Sequence, residues 1–223
     1  YSQVELRILA HLSRDRGLIK AFREKADIHT RTAATIIQIE ESEVDEGKRA
    51  IAKTINFGVI YGQGPRALSR QIGVSFEEAS DFIEGYFKKY PDVKDFIEGY
   101  KELAREKGFA ETMFGRRRYL PDIKSEDSRL KSFSERIAVN TPIQGTAADM
   151  IKIAMIAISD TIDRNELRSR MILQVHDELV FEVPDSEQKQ LEQLVRNKME
   201  NVLSLKVPLK VHLGWGVNWA EAK

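Results

Sequence analysis

Apolar residues recur with helical spacing through most of the first half of the chain. Leu6, Leu9 and Leu12 follow one another at intervals of three, after Ser2 and Glu5, which form a capping-box pattern. Further helix-start residues, and glycines or prolines that end helices, divide the rest of this half into separate segments. The pattern predicts further helices over residues 27–38, 45–61, 66–71, 75–90 and 91–108.

Two β-hairpins are predicted in the second half, where strand-like runs replace much of the helical pattern. The first turns at Gly115, and the second joins two short apolar runs through His176, Asp177 and Glu178. A last alternating run predicts one more strand. The predicted strand segments are residues 109–114, 117–120, 171–175, 179–183 and 207–213.

Three more helices are predicted in this half, and all the segments together indicate an α+β fold. They cover residues 125–139, 146–164 and 185–203, with Pro142 and Gly145 interrupting the chain between the first two. The middle helix carries apolar residues around most of its circumference, so we expect it to be buried. These residues are Met150, Ile151, Ile153, Ala154, Ile156, Ala157 and Ile158.

Composition narrows the class of protein. The chain has 223 residues, 42% of them hydrophobic, which suits one large domain or two small ones with a real core. No apolar run approaches the roughly 20 residues of a membrane-spanning helix, so no membrane partner is expected. The absence of Cys excludes a disulfide framework and fits a reducing compartment, so we expect a cytoplasmic protein. Because the chain starts with Tyr1 rather than Met, we expect a segment of a longer protein.

Charge is balanced over the whole chain but uneven along it. Lysine and arginine number 35, and aspartate and glutamate also number 35. Zero net charge does not exclude a nucleic-acid partner, because local clusters of Lys and Arg are what bind nucleic acid. Basic clusters lie at residues 116–118 and at Lys48, Arg49 and Lys53, whereas the acidic excess lies at 40–43 and 185–192.

Four residues at intervals of four form a slanted stripe along the predicted helix of residues 45–61. Two cations, Arg49 and Lys53, are followed by two aromatic residues, Phe57 and Tyr61. An apolar core would explain only the aromatic pair, and a solvated face only the cations. A nucleoside triphosphate would explain all four, since cations bind phosphate and aromatic rings offer a stacking surface. Such stripes are also common on helices without a ligand, so both interpretations stay open here.

The charged tip of the second predicted hairpin also has two explanations. Turns are polar and Asp favours them, which is the simpler explanation. Alternatively, Asp177 and Glu178 could hold Mg²⁺, which takes oxygen ligands and usually one or two carboxylates with substrate phosphates. One Asp is not enough for a two-metal site, so a second carboxylate would have to come from elsewhere.

Two places near helix starts admit a ligand role beside a structural one. Gln3 and Glu5 open the first helix, and capping alone explains Glu5. His29 follows Asp27 and is most simply a helix-start residue near solvent.

Taken together, these segments resemble the family A DNA polymerases, of the bacterial DNA polymerase I type, along essentially the whole chain. Three motifs occur in order: Tyr1-Ser-Gln-Val-Glu-Leu-Arg7, Arg49-x-x-x-Lys53-x-x-Asn56-Phe57-Gly58-x-x-Tyr61-Gly62 and Gln174-Val-His-Asp-Glu-Leu179. Further family-like segments are Asp27-Ile-His29-Thr30, Phe114-Gly-Arg-Arg-Arg-Tyr119 and Asn140-Thr-Pro-Ile-Gln144-Gly-Thr-Ala-Ala148.

The resemblance implies a right-hand polymerase fold, with helical fingers and part of an antiparallel-sheet palm. Residues 1–17 and 110–223 would belong to the palm and residues 18–109 to the fingers, with the thumb upstream. The first motif of the family begins with an Asp that would stand directly before Tyr1. Without that Asp and the thumb, we expect little or no nucleotide transfer by this chain alone. Ala50 stands where many relatives have a second Arg.

The resemblance also implies roles in nucleotide binding. Arg49 and Lys53 would grip the incoming triphosphate, and Lys53 would protonate the leaving pyrophosphate. Phe57 would stack on the nucleotide, and Tyr61 would pack near the nascent base pair. The remaining nucleotide-binding residues would be His29, Gln3 and Glu5, of which Glu5 would exclude a ribose 2′-hydroxyl.

Metal and DNA contacts are implied in the same way. Asp177, Glu178 and the Tyr1 carbonyl would hold Mg²⁺, and two such ions would support in-line attack of the primer 3′-hydroxyl on the α-phosphate. The implied partners are primer–template DNA, dNTPs and the upstream thumb and N-terminal regions. The DNA-binding residues would be Arg136, Asn140, Gln144 and His176, and the basic cluster of residues 116–118 would face DNA phosphate or support the palm.

Three alternatives remain at this stage. The first is a split-polymerase half that binds primer–template or nucleotide without chemistry. The second is a single-subunit RNA polymerase, against which Glu5 and the Asn56-Phe57-Gly58 context argue. The third is a helical nucleic-acid-binding module, which leaves the stripe from Arg49 to Tyr61 unexplained.

Overall fold

The structure is a computed structural model that describes residues 1–222. The chain forms two compact units, one made of Leu9–Gly145 and the other of Tyr1–Ile8 with the residues from Thr146 onward. The α-helices are α1 Val4–Ser13, α2 Arg16–Arg23, α3 Ile28–Ile37, α4 Glu46–Ile60, α5 Pro65–Ile72, α6 Phe76–Lys89, α7 Pro91–Lys107, α8 Ser128–Asn140, α9 Thr146–Arg164 and α10 Gln188–Glu200. The strands are β1 Phe109–Glu111, β2 Arg117–Tyr119, β3 Arg170–Val175 and β4 Glu178–Glu182.

Side-chain caps fix where the helices of the unit Leu9–Gly145 begin. Asp27 accepts hydrogen bonds from the backbone of His29 and Thr30 at the start of α3. Asp45 caps α4 in the same way, and Ser75 with Glu78 forms a capping box on α6. The predicted helix starts after Asp27 and Ser75 are therefore confirmed.

Helix α2 was not predicted from the sequence. It is eight residues long and buries only Leu18, Ala21 and Phe22, which is too short an apolar pattern to stand out. Its signal was the N-cap Asp15, whose Oδ1 accepts from the backbone of Leu18 at 2.9 Å.

The first hairpin is shorter than the sequence predicts. Strands β1 and β2 pair over three residues each, from Phe109 opposite Tyr119 to Glu111 opposite Arg117. Gly115 takes a φ of 80° in the connecting turn, a conformation that favours glycine. Beyond α8, the predicted interruption around Pro142 is a π-helix, Thr141–Gly145.

The second unit is built around α9 and α10. Its core consists of apolar residues from both helices together with Val211, and the inner face of the β3–β4 hairpin packs against it. The two strands are antiparallel, and Val175 pairs directly with Glu178. The hairpin turn therefore consists of His176 and Asp177 alone.

Two predictions for this unit are wrong. Helix α9 is not buried all round, because Ile153 is 39% and Ile156 63% exposed. Residues 207–213 form no strand in the part of the chain that the structure describes. Val207, Leu209 and Val211 are buried, as the alternating pattern suggests. However, the carbonyl groups of this segment accept hydrogen bonds from residues that are not in a neighbouring strand. Pro208 accepts from Arg7 at 2.6 Å, Lys210 from the backbone of Ser2 at 2.9 Å and Val211 from Arg196 at 3.3 Å.

The start of α1 also differs from the predicted pattern. The helix begins at Val4, so Ser2 lies one residue before the capping position instead of at it. The capping position is taken by Gln3, whose φ is 52°.

Candidate nucleotide and metal sites

The four-residue stripe of helix α4 borders the buried side of the helix and is at least partly exposed. The buried side carries Ala52, Ile55, Asn56, Val59 and Ile60. Lys53 is exposed, whereas Arg49, Phe57 and Tyr61 are partly exposed. The two cations and two rings are thus accessible along one side of a single helix.

Arg49 is held by the residue that caps the preceding helix. Its Nε donates to Oδ2 of Asp27 at 2.8 Å, while Oδ1 of Asp27 accepts from the backbone of His29 at 2.8 Å. Burial acts to raise the pKa of Asp27, but the hydrogen bond from Arg49, backbone hydrogen bonds and the Arg49 charge outweigh it and lower the pKa. Asp27 therefore stays ionised and fixes the guanidinium group through one edge.

The aromatic half of the stripe is a continuous ring surface. Phe57 stacks on Tyr61 with 6.1 Å between ring centroids and an interplanar angle of 26°. The Phe57 ring also lies 6.0 Å from the ring of His29, at an interplanar angle of 44°. Such a surface suits a planar ring of a ligand.

A cavity of about 620 Å³ lies beside the stripe within the same unit. Its lining includes Lys53, Phe57, Tyr61 and Gly62, and also Arg136 from α8. Gly62 has a φ of 68°, and a Cβ there would lie 3.0 Å from Cγ of Arg136. The absence of a side chain at Gly62 lets Arg136 pack closely against the end of α4.

His29 is not near solvent, as the sequence suggested, but only 2% exposed. Burial lowers its pKa to about 4, so the ring is neutral at pH 7. Its Nδ1 lies 3.0 Å from Nδ2 of Asn56, a fully buried residue on α4. In the sequence, Asn56 stood out only as part of the second motif, with no role of its own. The signal that could have identified it is a polar residue on the apolar side of an amphipathic helix.

The acidic turn belongs to the unit that contains Tyr1. His176 takes a φ of 52° and is exposed, Asp177 is partly buried, and Glu178 is the exposed first residue of β4. The amino group of Tyr1 donates to the backbone oxygen of Asp177 at 3.0 Å. Tyr1 and the two carboxylate residues are therefore brought together, and all three line a cavity of about 280 Å³.

The atoms at this turn that could bind a metal ion are oxygens, the type of ligand that Mg²⁺ prefers. Within residues 1–222, however, no group of three or more His, Asp or Glu side chains is arranged to hold one metal ion. Asp177, Glu178 and a backbone carbonyl fit a Mg²⁺ ion that completes its shell with water and substrate oxygens, but they do not form a closed protein cage.

The predicted DNA-binding residues in and after α8 differ in how far they are exposed. Arg136 and Gln144 are exposed, and the guanidinium carbon of Arg136 lies 5.7 Å from the ring centre of Phe133. The Oδ1 atom of Asn140 is buried and has no hydrogen-bond partner among the described residues. Asn140 ends α8, and Gln144 lies in the π-helix; π-helical turns are frequent at functional sites.

The basic cluster of residues 116–118 is partly committed to local contacts. Arg117 lies 4.5 Å over the ring of Phe109 and donates to Glu111 at 3.2 Å. Arg116 donates to the carbonyl of Gly145 at 3.1 Å. Gln3 and Glu5, the remaining predicted nucleotide contacts, lie with Tyr1 at the start of the other unit and are partly buried.

Comparison with known proteins decides which family carries these features. The family model of DNA polymerase family A matches residues 1–221. This chain belongs to DNA polymerase family A. The resemblance stated from the motifs is thereby confirmed.

Curated family A relatives match the whole chain. DNA polymerase I of Caldicellulosiruptor bescii is 47% identical over 223 residues, which is 100% of this chain and 26% of the relative. The thermostable DNA polymerase I of Thermus filiformis is 48% identical with the same coverage. The chain therefore spans about a quarter of the length of these relatives.

A solved family A structure matches the fold. The POL domain of Pol1 from M. smegmatis, in complex with DNA primer-template and dNTP, is 45% identical, with a TM-score of 0.96. The match covers 100% of this chain and 39% of that one. The predicted α+β polymerase fold is confirmed. Among the described residues, no helix combines the length and apolarity needed to cross a bilayer.

Proposed function

We propose that the protein containing this chain performs template-directed DNA synthesis, transferring deoxynucleotides from dNTPs to a primer 3′-hydroxyl. The observation that carries the proposal is the accessible stripe on α4, two cations followed by two stacked rings, in a chain of DNA polymerase family A. The M. smegmatis relative, described in complex with primer-template and dNTP, supports the same substrates here.

In this proposal Arg49 and Lys53 bind the phosphates of the incoming nucleotide. Because Asp27 engages Nε of Arg49, the two terminal amino groups of the guanidinium are the part that phosphate oxygens can reach. Lys53 forms no ion pair with any residue in the described part of the chain, so its ammonium group is available to the ligand. That ammonium donates a proton to the departing pyrophosphate.

The rings and the first-motif residues orient the nucleotide. Phe57 stacks on it, Tyr61 packs against the nascent base pair, and His29 and Gln3 add contacts. Glu5 excludes a ribose 2′-hydroxyl and so favours deoxynucleotides.

Asp177, Glu178 and the Tyr1 carbonyl are the groups that would hold Mg²⁺. When bound, Mg²⁺ supplies charge stabilisation for the attacking and leaving oxygens of phosphoryl transfer. The chain's own contribution is a two-residue turn, which presents Asp177 next to the start of the first motif.

Primer–template DNA is the proposed partner of the second half of the chain. Arg136, Asn140 and Gln144 contact the duplex near the primer end, and His176 contacts the primer terminus. The fingers would be residues 18–109, the palm residues 1–17 and 110–223, and the thumb and N-terminal regions would come from the rest of the polymerase. The proposed location is the cytoplasm.

The test is extension of a labelled primer on two templates of different sequence by the intact polymerase that carries this sequence, with Mg²⁺ and either dNTPs or ribonucleotides. We expect products that follow each template and strong preference for dNTPs, whereas this chain alone gives little or no product. Template-independent products, or equal use of ribonucleotides, would contradict the proposal.

A further inference from the structure

A series of hydrogen-bonded polar side chains connects α3 to the buried side of α4. Thr32 and Asn56 are 1% and 0% exposed, and both lie in the unit Leu9–Gly145. The hydroxyl of Thr32 donates to Oδ1 of Asn56 at 3.1 Å, and Nδ2 of Asn56 meets Nδ1 of His29 at 3.0 Å. Tyr90 adds a further contact to this series, with 3.5 Å between its hydroxyl oxygen and that of Thr32. Buried polar groups of this kind are costly unless they are paired, and each of these groups has a partner.

With the Asn56 amide oriented as in the structure, its contact with His29 determines the tautomer of the ring. Since Oδ1 of Asn56 accepts from Thr32, its Nδ2 is the atom that faces His29, and an amide nitrogen can only donate. Nδ1 of His29 must therefore accept, which means that it carries no proton. In a neutral imidazole the proton is then on Nε2.

Burial, more than the charged groups nearby, keeps the His29 ring neutral. Burial is the largest cause that lowers its pKa, Arg49 and Lys53 of α4 lower it further, and Asp27 at the start of α3 acts in the opposite direction. A protonated, positively charged His29 would be repelled by the nearby cations Arg49 and Lys53. A neutral ring with a proton on Nε2 adds a hydrogen-bond donor without adding charge.

We propose that Asn56 is a positioning residue, which holds His29 as the neutral Nε2–H tautomer so that the ring can donate to a phosphate oxygen of the incoming nucleotide. The inference deepens the proposed function and rests on it for the identity of the ligand. No other side chain of this size does the same at position 56. Asp offers only acceptors and would draw the proton to Nδ1, and Leu offers neither donor nor acceptor.

The tautomer can be measured directly, whether or not the chain binds nucleotides. The chain contains four histidines, so selective ¹⁵N labelling and a long-range ¹H–¹⁵N spectrum at pH 7 resolve each ring, and a His29→Gln variant assigns His29. We expect a protonated Nε2 and an unprotonated Nδ1. In Asn56→Asp the proton should move to Nδ1, whereas the exposed control Asn165→Asp leaves the spectrum of His29 unchanged. A wild-type ring with its proton on Nδ1, or an averaged ring, would overturn the proposal.

A second variant covers the case in which Asn56→Asp does not fold. Thr32→Val keeps the shape of residue 32 but removes the hydroxyl that orients the amide, so we expect a mixture of both His29 tautomers. Thr32→Ser keeps the hydroxyl and should restore the single tautomer. A single Nε2–H tautomer in Thr32→Val would overturn the role of the Thr32–Asn56 contact.

Kinetics in the intact polymerase test the link to phosphate binding. Asn56→Asp should raise KM for dNTPs by about tenfold or more, the factor expected for losing one hydrogen bond to a charged group, with less change in kcat. The defect should shrink as the pH is lowered, because protonation restores the proton on Nε2. An unchanged KM, or a defect independent of pH, would overturn the positioning role. If the wild-type enzyme does not extend primers, the proposed function is wrong, whereas the tautomer of His29 is still decided by the spectra.

Discussion

Nε of Arg49 donates to Oδ2 of Asp27 across 2.8 Å, so the residue that caps α3 also fixes the first cation of the α4 stripe. Both side chains are well exposed, so this ion pair adds little to the stability of the fold. Its main consequence is geometric, because it holds a long flexible side chain in one orientation before any ligand arrives.

Replacing Asp27 by Asn should therefore weaken nucleotide binding without unfolding α3. Asn remains a good N-cap, but it lacks the charge that holds Arg49. We expect KM for dNTPs to rise about three- to tenfold in the intact polymerase, in the range of a lost charge-assisted hydrogen bond. The matched control is Asp45→Asn, since Asp45 caps α4 and pairs with Lys48 at 2.8 Å. Equal KM changes in the two variants would contradict the role given to Asp27.

Removing the ammonium group of Lys53 should slow the chemical step. If Lys53 protonates the leaving pyrophosphate, Lys53→Ala should lower the single-turnover incorporation rate by about 100-fold or more, the usual scale of general acid catalysis. Lys48→Ala removes a cation five residues earlier in the same helix, which is paired with Asp45, and should leave the rate nearly unchanged. An unaltered rate in Lys53→Ala would remove the acid role.

A side chain at Gly62 should destabilise the fold. Gly62→Ala would place a non-glycine residue at a φ of 68° and its Cβ 3.0 Å from Arg136, which together should cost about 1–2 kcal/mol in the free energy of unfolding. Gly99→Ala is the control, because Gly99 lies in α7 with no atom within 4 Å of the added Cβ, and should stabilise by about 0.5–1 kcal/mol. Urea unfolding measures both; the same sign for the two variants would contradict this account.

The free energy of unfolding should fall as the pH is lowered from about 6.5 to about 4, the interval between the unfolded and folded pKa of His29. In that interval the unfolded chain binds more protons than the native state, so stability is complete above pH 6.5 and decreases toward pH 4. The loss should be about 3 kcal/mol or less. Asp27, whose pKa is lowered, loses its contribution only below its unfolded value of about 3.9. Urea unfolding at pH 7 and pH 4.5 should show a smaller difference for His29→Gln; an equal difference would exclude His29 as the source.

Local signals in the sequence were enough to predict the elements that carry the stripe and the acidic turn. Asp27 and Ser75 are caps whose partners lie within three residues, and the spacing of Arg49 to Tyr61 is set by the helix itself. The same holds for the turn at His176 and Asp177, which lies between two apolar runs.

Contacts between distant residues could not be predicted in this way. Thr32 and Asn56 are 24 positions apart, and their hydrogen bond depends on how α3 packs on α4, which periodicity does not encode. The burial of His29 was missed for the same reason. Alternation of buried residues at 207–213 could not show that the neighbouring hydrogen-bond donors would be Ser2, Arg7 and Arg196 instead of a strand.

Asp177 is the proposed metal-binding carboxylate of nucleotide transfer. The most direct measurement is primer extension by the intact polymerase carrying Asp177→Ala, together with its affinity for primer–template DNA. Asp163→Ala, an exposed carboxylate near the end of α9, is the control. Asp177→Ala should abolish extension while primer–template affinity largely survives, and Asp163→Ala should extend normally. Extension at the normal rate by Asp177→Ala would contradict this role of Asp177.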